Sequence, residues 1–157
     1  MSSGPAVRRG LLAALLVVGA LIVGCGSEAE PGGSAKSADD YADALKSAPR
    51  QIAELYSSGD VLLDGGAATY AQRLADVEGF PLVVNNWASW CGPCRTEFPF
   101  FQALAVEEIK RVAFLGVVSE DSEAAAETFL RDNPLPYPSV TDPDGDLASW
   151  IDSPLIG

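Results

Sequence analysis

Histidine is absent from this 157-residue chain, and cysteine occurs three times. The first absence removes whole classes of chemistry. Ser-His and Cys-His hydrolases need an imidazole base. Covalent haem attachment needs C-x-x-C-H, whereas the residue after Cys94 is Arg95. Structural zinc wants four ligands, normally cysteine or histidine, so no metal site is expected from one cysteine pair and a distant third. Positive charge is scarce as well: 10 Lys and Arg against 22 Asp and Glu give a formal −12. Such a chain repels phosphate backbones, and nucleic acid is not an expected partner.

A long hydrophobic run is also missing. Leu11 to Val23 is apolar apart from small glycine and alanine interruptions, shorter than the roughly 20 residues of a membrane-crossing helix. With Arg8 and Arg9 ahead of it, residues 1–24 read as a signal peptide. The run closes on Leu21-Ile22-Val23-Gly24-Cys25, which resembles a bacterial lipobox. That resemblance implies lipidation of Cys25 and a protein lipid-anchored at the extracytoplasmic face of the cell membrane. Loss of residues 1–24 takes two positive charges and no acid, leaving −14. Residues 25–37, with "GSEAEPGGSAKS", read as a flexible tether. Outside the cytoplasm a cysteine pair need not be reduced.

From residue 38 onward the pattern changes. Ala38 to Ser57 reads as helix broken at Pro49. "LLDGGAAT" reads as a turn and helix start, and Ala67 to Val77 as amphipathic helix carrying Tyr70, Leu74 and Val77. Residues 38–79 are therefore expected to be a helical N-terminal extension. Phe80 to Val84 is a short continuous apolar run, the mark of a strand buried on both faces of a parallel sheet. Arg95 to Lys110 reads as helix and Val112 to Val118 as a second buried strand. Ser122 is a candidate N-cap for a helix over Glu123 to Arg131, and a short strand is expected near Tyr137 to Val140. Strand, helix, strand, helix is the arithmetic of an α/β domain, here residues 80–157.

Between the first strand and its helix lies "NNWASWCGPCRTEFP". A permanent structural bridge between Cys91 and Cys94 would stabilise little, because closing so short a loop removes little unfolded-state entropy. A redox pair has physical support. At a helix N-terminus the Cys91 sulfur meets unpaired backbone N–H groups and the positive end of the dipole, both favouring thiolate. Lowering a thiol pKa from about 8.5 to about 7 is worth roughly 2 kcal/mol. Pro93 lacks an N–H and fixes its backbone, and Gly92 precedes it. Cys94 is expected to face inward, less exposed than Cys91. Cys91 then attacks a substrate disulfide and Cys94 resolves the mixed disulfide.

"WCGPC" at a strand–helix junction resembles the thioredoxin superfamily. The longer "VVNNWASWCGPCRTEFPFFQAL", the lipoprotein start and "PLPYPSVTDPDGD" resemble the TlpA/ResA-like thiol–disulfide oxidoreductases. The likeness covers roughly Phe80 to Gly157 and implies a thioredoxin-like α/β fold. It is expected to be incomplete at its C-terminus, since the chain stops at "DSPLIG". Family members reduce protein disulfides outside the membrane, some in cytochrome c maturation, with electrons from a membrane thiol transporter. Apocytochrome c is thus a candidate substrate, and no cofactor is implied. Residue by residue, Cys91 and Cys94 match the nucleophile and resolving thiol, Pro99 the proline that kinks the active-site helix, and Glu97 an acid near the thiols. Asn85 stands where thioredoxin carries a buried acid, which leaves proton handling to Glu97 or water. Trp90 is expected to shield the thiolate or touch substrate, and Trp87 and Phe98 to be core. Two other readings stand beside this one: a peroxiredoxin-like peroxidase, and a non-catalytic lipoprotein binding module with an inert disulfide.

Overall fold

The computed structural model describes residues 38–151. The expected signal peptide, Cys25, the tether and the residues after Ile151 lie outside the described residues. Two short helices come first, α1 (Ala38–Leu45) and α2 (Arg50–Tyr56), separated at Pro49 as the sequence predicts. Ile52, Leu55 and Tyr56 of α2 are buried in the core. There follow β1 (Leu62–Leu63), α3 (Gly66–Asp76), β2 (Leu82–Trp87), α4 (Gly92–Glu107), β3 (Ala113–Ser119), α5 (Glu123–Asp132), β4 (Ser139–Asp142) and α6 (Asp146–Trp150).

The four strands form one sheet in the order β1-β4-β3-β2, and every pairing is parallel. Helices flank it on both faces. Trp87 of β2 meets Phe98 of α4 and Phe129 of α5, which places those helices over its face. On the opposite face Ser119 donates to Asn86 and to Asp142. Asp142 there accepts the N–H groups of Leu147 and Ala148 at the start of α6. Tyr70 of α3 packs edge-on against Trp150 of α6. This is the α/β layering expected of a thioredoxin-like chain.

Three expectations are corrected. Residues 38–79 are not a purely helical extension: Leu62 and Leu63 pair with Ser139 and Val140, so this segment supplies a strand of the sheet itself. Two residues are too few for periodicity to register, and only the partner strand makes them β. The strand at Phe80 runs later, over Leu82–Trp87, and is not buried on both faces. It ends the strand order among the described residues, which leaves Val83 exposed, whereas β3, between two neighbours, is buried at every position. Leu74 is exposed although Tyr70 and Val77 of the same stripe are buried. Helix α6 was not expected; it starts after Gly145, whose φ of 72° suits a residue without a Cβ.

Candidate redox site

Strand β2 delivers the chain to its C-terminal end at Trp87, and α4 begins five residues later. The turn between is closed by the Cys91 N–H, which donates to the Ala88 carbonyl at 3.2 Å. Cys91 is the N-cap of α4, in extended conformation at φ −76° and ψ 106°. Its sulfur accepts the Cys94 N–H at 3.3 Å, and its carbonyl accepts the Arg95 N–H at 3.1 Å. The sulfur thus occupies the capping position where a side-chain oxygen normally sits. Pro93 lies in the first turn, where its missing N–H removes no intrahelical bond. Cys91 and Cys94 are joined as a disulfide with their Cα atoms 5.3 Å apart.

Accessibility reverses the order expected for the pair. Cys91 is 3% exposed, whereas Cys94 is half-buried and packs at the edge of the core. Cys91 is covered where β2 turns into α4, while Cys94, one turn along, lies on a flank of α4 less covered than the Phe98 face. Glu97 is exposed on the same helix, and Gly92 and Pro93 are exposed at its tip. The helix continues through Pro99, which has no N–H to donate to the Arg95 carbonyl. Trp87 and Phe98 are core residues, their rings 5.0 Å apart and nearly perpendicular. Trp90 is 59% exposed, with its indole N–H donated to the Glu120 carbonyl at 2.9 Å.

Asn85 is buried and donates its amide to the Tyr137 hydroxyl at 3.2 Å. Burial pushes the Tyr137 phenol far above its ordinary range, with the Asn85 bond acting against it. The pair therefore stays uncharged at working pH. Neighbouring Tyr56 behaves alike: desolvation raises its phenol, and the Phe114 N–H it accepts at 3.0 Å opposes that only partly.

Other residues around the site carry no motif. Ser89 donates its N–H to Asp121 at 2.6 Å and accepts at its carbonyl from the Arg95 guanidinium at 3.1 Å. Arg95 also lies 5.1 Å from the centre of the Phe129 ring. Asp121 is 32 positions from Ser89, and no local pattern announces that contact. Among the described residues no cluster of three or more acidic, cysteine or histidine side chains could hold a metal ion.

Comparison with known proteins agrees with this geometry. The chain is 33% identical over 76 residues to a "Thiol-disulfide oxidoreductase ResA" of Oceanobacillus iheyensis, covering 48% of this chain and 40% of that protein. It is 34% identical over 108 residues to a "Thiol:disulfide interchange protein DsbE" of Pseudomonas fluorescens, covering 68% and 58%. It is 34% identical over 74 residues to the "Sporulation thiol-disulfide oxidoreductase A" of Bacillus subtilis, covering 45% of each. The chain therefore spans about half the length of these relatives, and the likeness to TlpA/ResA-like proteins expected from the sequence holds. The matched family region, residues 61–153, begins at the threshold of β1 and encloses the sheet and the cysteine pair. The chain belongs to the AhpC/TSA family.

Proposed function

We propose that this protein is an extracytoplasmic thiol–disulfide oxidoreductase, tethered by a lipid on Cys25, that reduces disulfides in other proteins. The observation that carries this reading is the cystine closed across the N-cap of α4, with a backbone N–H aimed at the Cys91 sulfur. On reduction that N–H and the helix dipole favour a thiolate at Cys91, so acidity assigns the attack to it although Cys94 is the more exposed of the two in the cystine. The thiolate attacks one sulfur of a substrate disulfide and the other leaves as a thiolate. Cys94, deprotonated by water or by Glu97, then attacks Cys91 and releases the substrate's second thiol. Two electrons pass to the substrate and the protein is left as the cystine. A membrane thiol transporter is the proposed donor that reduces it again, and apocytochrome c a proposed substrate; the relatives' names support thiol–disulfide interchange.

The test is a trapping experiment on the full chain. Reduced Cys94→Ser protein is mixed with a protein disulfide such as insulin, and adducts are mapped by mass spectrometry. Adducts accumulating on Cys91 are expected. If wild-type protein neither reduces insulin nor forms adducts, the cystine is an inert staple. If it instead consumes hydroperoxide, the peroxidase reading takes its place.

A further inference from the structure

The turn that carries Cys91 is held from outside. Ser89, its second residue, is gripped on both sides: its N–H by Asp121 Oδ2 at 2.6 Å, its carbonyl by Arg95 at 3.1 Å. The other carboxylate oxygen of Asp121 accepts the Ser122 N–H at 2.8 Å, which fixes the direction in which Oδ2 points. Trp90, the third residue of the turn, is tied by its indole to the Glu120 carbonyl at 2.9 Å. Glu120 has a φ of 52°, uncommon for a residue with a Cβ. Its own N–H is donated to the Asp142 carbonyl at 3.1 Å, which joins the corner to the end of β4.

A backbone corner with unusual torsion, braced from β4, thus holds the two consecutive residues that lead into Cys91. The exchange chemistry assigns it no part. Yet thiol–disulfide exchange needs the attacking sulfur aligned with the bond it breaks, and misalignment is costly. A hydrogen bond to a carboxylate is short and roughly twice as strong as a neutral one, so it is the contact best able to keep the Ser89 peptide in one geometry. We propose that Asp121 is a positioning residue of the redox site, its carboxylate fixing the Ser89 peptide and so aiming Cys91 and the Trp90 indole at an incoming disulfide. The proposal rests on the exchange reading above and adds a residue to it that touches neither sulfur nor substrate.

Asp121→Asn is the informative substitution, because an amide retains one acceptor where the carboxylate has two. It is compared with Ser122→Ala, which removes the N-cap bond that Ser122 Oγ accepts from the Ala125 N–H and weakens α5 without touching Ser89. The expected result is about a tenfold fall in the rate of Cys91 attack on insulin for Asp121→Asn, with KM little changed. The Ser89 amide should also exchange with solvent faster, and the Trp90 indole should gain rotational freedom in its fluorescence anisotropy. Ser122→Ala should lower the melting temperature and leave all three readouts alone. Should Asp121→Asn exchange at the wild-type rate, or Ser122→Ala slow the attack equally, positioning is disproved. Should the substituted protein fail to fold, amide exchange at Ser89 in the wild-type protein decides: a slow amide supports the clasp and an unprotected one overturns it. Failure of the underlying exchange reading shows in a different place, as wild-type protein that does not attack insulin at all.

Discussion

Gly116 sits at the middle of β3, opposite Asn85 on one side and Ser139 on the other. A Cβ there would lie 2.8 Å from the Cβ of Ser139 and 3.1 Å from Nε1 of Trp87. That indole nitrogen donates to the Ser139 hydroxyl at 3.2 Å, so the missing side chain is what lets Trp87 reach across. Gly116→Ala is expected to cost about 1–3 kcal/mol through overpacking, read as a lower urea midpoint with unchanged slope. At this scale the cysteine pair was legible, because its spacing and its place before a helix are local facts. The half-burial of Cys94 was not, since it depends on which flank of α4 the core covers. Nor was the partner of Asn85: Tyr137 lies 52 positions away and meets it only when β2 and the segment before β4 share a face.

At the scale of elements, α2 and the turn after it show how the periphery completes the sheet. The Phe114 N–H is met by the Tyr56 hydroxyl at 3.0 Å, near the start of β3 where β4 does not yet run alongside. Tyr56→Phe strands that buried N–H and is expected to cost about 1–3 kcal/mol, measurable by denaturant unfolding. Asp60, in the turn before β1, has a positive φ of 61° and accepts the Leu135 N–H at 3.4 Å. Burial raises its carboxyl above the usual range, and the Leu135 bond opposes this only in part. The folded state therefore keeps a proton that the unfolded chain gives up. The associated stability is full below the unfolded pKa and is lost as pH rises through the folded one. Asp60→Asn keeps an acceptor and tolerates the torsion, but does not titrate. Its melting temperature relative to wild type should therefore rise between about pH 3 and about pH 7. A constant difference across that range would show that burial of Asp60 does not penalise its charge.

For the molecule as a whole, the acidic surplus sets how partners approach. The formal −12 of the chain includes Glu97, Glu120 and Asp121 around the turn and helix of the redox site. Long-range attraction between opposite charges raises association rates by about tenfold or more at low ionic strength. A lysine-rich peptide disulfide should thus be reduced about tenfold faster than a glutamate-rich one of equal length in dilute buffer. The gap should close at about 1 M salt, where the screening length is about 3 Å. Equal rates in dilute buffer would remove charge from substrate choice.

The α/β class, the helix break at Pro49, the fully buried β3, the Ser122 cap and the cysteine pair at the head of α4 can all be read from the order of residues alone. Each follows from residues within a few positions of one another, where torsional preference, apolar runs and capping chemistry act. That Leu62 and Leu63 form a strand, that β2 ends the described sheet, and that Asp121 grips Ser89 emerge only once the chain is folded. Those depend on segments far apart in the chain arriving side by side, and hydrogen bonds across such distances leave no periodicity in the sequence to read.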